Sequence, residues 1–420
     1  MTAALPIWAI CAAATAGVIV RPFRWNEAIW AVSGAALLVI LGFMPSASAI
    51  AAMAKGADVY LFLIGMMLLS ETARAEGLFD CIAANAVNHA RGSPKRLFAL
   101  VYGAGIIVTT FLSNDATAVV LTPAVFAAAK RAKAEPLPLL FACALIANAA
   151  SFVLPISNPA NLVLYGGHMP PLGAWFASFA LPSVASIAVT FFVLRRVERD
   201  RLAGSCESSV GRAALSRGGW AALTGIITTA MLLVVMSALD RPLGLPTCMA
   251  GLLTIIGTCL MARRSPGHLL AAVSWAVLPL VAGLFVLVEA LNRTGVIRMI
   301  AAALGQAATA NLPLAAAGAG TVLAIASNLM NNLPAGLIAS NAIMQAHLPK
   351  LVVDGLLIGV DLGPNLSITG SLATILWLSA IRREGEDVGF WRFLKVGALV
   401  MPPALILALG ARVLVGMAGS

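Results

Sequence analysis

Apolar runs of about 20 residues recur along the whole chain, separated by short polar stretches, and each is long enough to cross a bilayer as a helix. The pattern predicts spans over 5–20, 28–45 and 59–80, a broken stretch over 97–130, a span over 137–165 interrupted near Pro155, a span over 172–194, and a polar linker over 195–217. The same order then returns as 219–238, 246–262 and 270–291, a broken stretch over 313–346, 352–381 interrupted near Gly363-Pro364, and 391–411. The two broken stretches carry polar interruptions at matching places, Ser113-Asn114-Asp115-Ala116-Thr117 and Asn328-Leu329-Met330-Asn331-Asn332-Leu333-Pro334. A bilayer tolerates bare amides and carboxylates only where protein or a water-filled cavity surrounds them, so these interruptions point to the substrate site of a membrane transporter.

Composition supports an all-α polytopic membrane protein, since 60% of the 420 residues are hydrophobic and only 10% are charged. The run over 5–20 is followed by Arg21 and Arg24 rather than by a small-residue cleavage site, which reads as a retained helix and not a cleaved signal. The net charge of +10 sits in clusters between apolar runs, without the aromatic interleaving of a nucleic-acid surface, so no nucleic acid is expected as a partner. The six cysteines have no metal-ligand or C-x-x-C spacing. No phosphate-binding loop and no long polar domain are present, so the chain is not expected to be an enzyme or to hold a cofactor.

Local matches support a repeat. Gly65, Glu71 and Gly77 coincide with Gly283, Glu289 and Gly295 at a spacing of 218 residues, and Asn114 and Asp115 fall on Asn331 and Asn332 at 217. Ser157-Asn158-Pro159-Ala160-Asn161 resembles Gly370-Ser371-Leu372-Ala373-Thr374 at 213. With the N-terminus outside and both broken stretches treated as re-entrant hairpins, most of the 27 basic residues fall on the inside, including Arg91/Lys95/Arg96, Lys130/Arg131/Lys133 and the six arginines of the linker, Arg212 among them. Five spans and one hairpin per half turn the second half upside down. The expected organisation is a first inverted repeat over 1–194, a cytoplasmic linker over 195–217 and a second inverted repeat over 218–420. It holds about ten transmembrane helices, two re-entrant hairpins and two discontinuous helices in the plasma membrane.

Three segments resemble a known family. Ser113 to Pro123, Met330-Asn331-Asn332-Leu333-Pro334 and above all Asp361-Leu362-Gly363-Pro364-Asn365-Leu366-Ser367-Ile368-Thr369-Gly370-Ser371-Leu372-Ala373-Thr374 are similar to the arsenite/antimonite efflux carriers, the membrane subunits of bacterial arsenical pumps within the ion-transporter superfamily. Ala116 is a departure, standing where relatives carry glycine. The resemblance implies export of arsenite, and of antimonite, by proton antiport, with a separate soluble ATPase as a possible associate that the linker would dock. Arsenite near neutral pH is the uncharged As(OH)3, which suits amides and hydroxyls better than an arginine clamp. The candidate substrate-binding residues are Ser113, Asn114, Asp115, Thr117, Asn148, Ser157, Asn158, Asn161, Asn331, Asn332, Asn365, Thr369, Ser371 and Thr374.

Coupling needs a carboxylate in the pathway, because burial favours the neutral form and lets such a group carry a proton. Asp361 is preferred, since it precedes the Gly363-Pro364 break inside an apolar span; Asp115 is the second candidate, with an N-cap to the N–H of Thr117 or Ala118 as its bland reading. Glu71 and Glu289 recur at one repeat position, which fits structural roles: pairing with Arg74 for the first and capping a neighbouring element for the second. Cys143 is the one thiol near the site by sequence. The four histidines, His89, His168, His268 and His347, read as solvated, and Pro123, Pro155, Pro159, Pro334 and Pro364 as helix starts and breaks. The competing reading is a Na+/H+ antiporter or Na+-coupled anion transporter of the same superfamily.

Overall fold

The structure is a computed structural model that describes residues 4–166, 169–211 and 214–418, so His168 and Arg212 lie outside the described residues. It is built from helices. Five are long and apolar enough to cross a membrane: Leu172–Val197, Arg217–Ala238, Gly244–Ala262, Leu312–Met330 and Phe390–Ala418. Two bent pairs also qualify, Ser46–Ala54 with Ala57–Ala75 at 51° and Val277–Arg293 with Val296–Ala310 at 75°. Ala4–Val20, Glu27–Ile40 and Pro136–Ala149 are shorter apolar helices. Several expected crossings are therefore short or bent rather than single straight spans.

Leu78–Ala90 and Val296–Ala310 were not anticipated by the apolar pattern, nor was the shorter Ser46–Ala54. Leu78–Ala90 mixes Asp80, Asn85, Asn88 and His89 with a buried face of Leu78, Phe79, Ala83 and Val87, so it lacks the all-round apolarity by which spans are recognised. Val296–Ala310 buries only Ile297, Ala301 and Ala308.

Both broken stretches turn at the polar interruptions. The first runs up Pro94–Phe111 and back over 114–131; the second runs up Leu312–Met330 and back over Asn332–Ala346. Thr117–Leu121 in the first return is a wide π turn. Pro123 has no N–H for the carbonyl four residues before it, while the Thr122 N–H and hydroxyl both reach back to Thr117 O. In the second return Pro334 lies in the opening turn, where a missing N–H costs nothing, and the helix is regular.

Each broken helix packs on the hairpin of its own half: Pro136–Ala149 on Pro94–Phe111, and Lys350–Leu362 on Leu312–Met330. The second contact is a seam of small residues, with Gly355, Gly359 and Gly363 facing Ala316, Gly320 and Ala324. A Cβ on Gly359 would lie 2.1 Å from Gly320 O, and no flexible side chain there can give way. Gly359→Ala should therefore lower stability by about 1–3 kcal/mol, as overpacking of a closed contact does, read as an earlier midpoint in thermal unfolding of the detergent-purified protein.

The short second pieces of the broken helices cross between the halves. Pro159–Tyr165 packs on the second return helix, and Leu372–Arg383 packs on the first. Trp377 fastens one crossing, its Nε1 donating to Leu140 O at 3.0 Å with its ring against Phe141 and Phe393.

The linker is laid across the first hairpin rather than hanging free. Cys206 N donates to Gly92 O (3.1 Å) and Glu207 N to Ala132 O (2.7 Å), one at each end of the hairpin, while Val210 N donates to Asn88 Oδ1 (2.8 Å).

Candidate functional site

At the first tip the polar residues largely satisfy one another. Ser113 Oγ accepts from Ala116 N (3.2 Å), Asn114 Oδ1 accepts from Asp115 N (2.9 Å), and the Thr117 and Thr109 hydroxyls share a hydrogen bond (2.8 Å). Ser113, not Asp115, is the N-cap of the returning helix. The Asp115 side chain instead lines a small cavity of about 70 Å3 with Ser70, Glu71 and Ser113. The second tip is built on Asn331, whose φ of +74° is unusual for a residue other than glycine, and whose Oδ1 accepts from Leu333 N (3.3 Å). Asn332 N donates to Gly370 O (2.9 Å), joining this tip to the second helix break.

Proline and glycine open the breaks themselves, and asparagine side chains tie the freed backbone. In the first break Asn161 Nδ2 donates to Ser151 O (2.9 Å) and Pro155 O (3.2 Å), and Ser157 Oγ donates to Thr110 O (3.1 Å). In the second, Asn328 Nδ2 donates to Gly363 O (3.0 Å), its Oδ1 accepts from Ser367 N (3.0 Å) and Oγ (2.8 Å), and Thr369 Oγ1 donates to Asn328 O (2.8 Å). Ser157 and Thr369 thus brace the breaks. Asn328 is an organising residue that stood in the second motif without being singled out; its place four residues after Ala324 on the small-residue seam was the available signal.

The two breaks meet in one buried polar network. Asn148 Nδ2 donates to Asn365 Oδ1 (3.0 Å) and more weakly to Thr374 Oγ1 (3.4 Å), Ser371 Oγ donates to Asn148 Oδ1 (3.4 Å), and the Ser371 and Thr374 hydroxyls share a bond of 2.8 Å. Asn365 Nδ2 donates to Leu145 O (2.9 Å). Beside this, Asn158 Nδ2 donates to Asp361 Oδ1 (2.8 Å). At the spacing of 213 residues Asp361 falls on Asn148 and Ser371 on Asn158. The Asn158–Asp361 and Ser371–Asn148 contacts are therefore the same contact made twice. In each, the residue capping the short second helix of one half binds the broken helix of the other. Only one of the two contacts contains a carboxylate.

Three buried acceptors have no donor among the described residues: Asp361 Oδ2 in one of these contacts, Asn161 Oδ1 one turn after Asn158, and Oδ1 of Asn332, whose N–H binds Gly370 O beside Ser371. Buried acceptors are rarely left so, and unpartnered ones call for a ligand or water. No lysine or arginine occurs within Ser113–Thr122, Asn148–Asn161, Asn331–Pro334 or Asp361–Thr374.

A second cavity of about 470 Å3 is lined by Lys55, Val59, Val163, Glu289, Leu337 and Asn341, among others. The spacings of 217, 218 and 213 carry seven positions of the small cavity onto it, among them Glu71 onto Glu289, Val120 onto Leu337, Val277 onto Val59 and Leu376 onto Val163. These two cavities, of unequal size and matched by the sequence spacings, each have one glutamate in their wall. Glu71 pairs with Arg74, as the spacing suggested. Glu289 does not cap a neighbouring element; Lys55 Nζ from the first half reaches its Oε2 at 3.0 Å and Arg293 lies 3.7 Å from its Oε1, because the bend between Ser46–Ala54 and Ala57–Ala75 brings Lys55 alongside. Cys143 is fully buried.

The sequence profile of a family described as "Citrate transporter" (CitMHS) matches residues 13–381. An arsenical pump membrane protein of Yersinia enterocolitica is 27% identical over 369 residues, covering 83% of this chain and 84% of that protein. The Escherichia coli K12 arsenical pump membrane protein is 26% identical over a stretch of the same length. An uncharacterized transporter of Mycobacterium tuberculosis H37Rv is 26% identical over 411 residues, covering 93% of this chain and 94% of that protein. Among solved structures, the Alcanivorax borkumensis YdaH transporter superposes with a TM-score of 0.55 at 17% identity, covering 88% of this chain and 87% of that one. Neisseria gonorrhoeae MtrF gives 0.53 at 13%, covering 90% and 84%. These likenesses show the fold of a multi-pass helical transporter.

Proposed function

The chain belongs to the citrate-transporter (CitMHS) family of secondary transporters, and from that premise we propose that it exports arsenite, and antimonite with it, across the plasma membrane in exchange for protons, giving resistance to arsenic. The observation that carries this reading is the trio of buried acceptors without donors, Asn161 Oδ1, Asn332 Oδ1 and Asp361 Oδ2, in a site whose motif segments contain no basic residue. As(OH)3 is a neutral molecule with three O–H donors, so it can supply what those oxygens lack. A citrate trianion brings three carboxylates against a single hydroxyl donor, and would need the arginine fork that these segments do not have. The arsenical pump membrane proteins among the relatives point the same way.

In this reading Asp361 carries the proton. The two repeat-related cavities are the two faces of an alternating-access cycle, with the inverted repeats over 1–194 and 218–420, the linker over 195–217 inside and the N-terminus outside. The larger cavity beside Lys55 is the open outer vestibule, and the smaller one beside Asp115 is its closed inner counterpart. In a cysteine-free background, Ser340→Cys should react with an impermeant thiol reagent from outside and Ser70→Cys from inside, never both in the same state; simultaneous labelling under every condition contradicts the cycle.

The same oxygen-only trio also suits a sodium ion, which favours Na+ coupling as a second reading. Counterflow in proteoliposomes tests the substrate: arsenite-loaded vesicles should take up external arsenite without sodium and ignore citrate. Citrate counterflow without arsenite counterflow overturns the reading.

A further inference from the structure

Asp354 is a fully buried acid that none of the motifs contains, and it has an unusually complete set of partners. Its Oδ2 accepts from Lys350 Nζ (2.9 Å), Arg412 Nε (2.8 Å) and Arg412 Nη2 (2.7 Å), and its Oδ1 accepts from the Tyr165 hydroxyl at 3.1 Å. Arg412 is itself buried, and Lys350 also binds the Ser178 hydroxyl, so four elements converge on this carboxylate.

The placement matters because of a matched spacing. Asp354 and Asp361 are seven residues apart on one helix, and Asn158 and Tyr165 are seven residues apart at the two ends of the short helix Pro159–Tyr165. Seven residues are about two helical turns, so both pairs present one face. Asn158 meets Asp361 and Tyr165 meets Asp354, which makes two rungs between antiparallel helices. This short helix is buried against Asn332–Ala346, and the two polar contacts at its ends tie it in register to Lys350–Leu362.

The other crossing of the repeat lacks this arrangement. At the 213-residue spacing the counterparts of Tyr165 and Asp354 are Leu378 and Phe141, both apolar and buried. The polar outer rung exists only at the crossing that holds the carboxylate.

We propose that Asp354, fixed by Arg412 and Lys350, is a positioning residue that acts through Tyr165 to hold Asn158 against Asp361, and so sets the geometry of the coupling carboxylate. The proposal rests on the reading of Asp361 as the proton carrier. It assigns Asp354 no contact with substrate.

Tyr165→Phe is the informative variant. It removes only the hydroxyl and leaves Asp354 paired with both cations, whereas Asp354→Asn strands two cations and endangers folding. Two measurements on the purified, lipid-reconstituted chain separate the possibilities. The first is the infrared carboxyl band of Asp361, identified by its loss in Asp361→Asn, which should shift in Tyr165→Phe at unchanged thermal midpoint. The second is arsenite transport, in which accumulation driven by a pH gradient should fall about tenfold, the worth of one hydrogen bond to a charged group, while counterflow keeps its rate. An unshifted band overturns the positioning role, whether or not arsenite is carried. A shifted band in a protein whose wild type shows no arsenite flux supports the positioning role and removes the arsenite reading instead.

Discussion

Asp361→Asn should abolish accumulation of arsenite against its gradient while leaving arsenite counterflow detectable, slowed about tenfold by the one acceptor lost from the Asn161, Asn332 and Asp361 trio. The amide keeps the size of the side chain and an oxygen for Asn158 Nδ2 to bind, so the crossing between the halves stays closed. What disappears is the carboxylate proposed to take up and release the proton. One proton exchanged per arsenite across a gradient of one pH unit supports about tenfold accumulation, since one unit is worth about 1.4 kcal/mol. In the variant the ratio should fall to one. Vesicles loaded with arsenite and then challenged with a pH gradient measure both quantities in one preparation. Loss of counterflow to the same degree as accumulation would leave Asp361 a role in substrate binding alone and none in coupling.

Asn148→Ala should do the opposite kind of damage. Asn148 is the repeat counterpart of Asp361, and it is the donor to Asn365 Oδ1 and the acceptor for Ser371 Oγ inside a network with no exposed member. Truncation leaves Asn365 Oδ1 buried without a donor, at about 1–3 kcal/mol, while Ser371 keeps its bond to Thr374, so transport should fall roughly tenfold to a hundredfold in counterflow and in gradient-driven uptake alike. Initial rates in the two assays, normalised to protein in the vesicle, give the comparison. A selective loss of coupling would mean that the two halves of the crossing are interchangeable in role.

The sequence carried much of this arrangement, for identifiable reasons. Bare amides in apolar stretches are costly, so both tips and both helix breaks showed themselves through Asn114, Asn331, Pro155 and Gly363-Pro364. The weak internal match at three spacings then linked the halves, and one of those spacings, 213, also relates the two crossed contacts of the structure. The rest was hidden for equally physical reasons. Leu78–Ala90 and Val296–Ala310 are one-sided helices, and a search for spans passes over them. The pairing of Glu289 with Lys55 depends on a bend between two helices and has no local signature. Asp354, Tyr165 and Arg412 come from three distant segments, and each alone reads as a polar residue near a helix end. The glycine seam of Gly355, Gly359 and Gly363 has the four-residue spacing of close helix packing, but its partner stripe is recognised only once the two helices are seen side by side.

If arsenite leaves in exchange for protons through a site at the crossing of the two halves, inside-out vesicles prepared without sodium, with the lumen made acid relative to the medium, should accumulate arsenite. The accumulation should grow with the imposed pH difference, be unchanged by sodium and be absent from Asp361→Asn vesicles. Accumulation that follows a sodium gradient and ignores the pH gradient would rule out proton exchange.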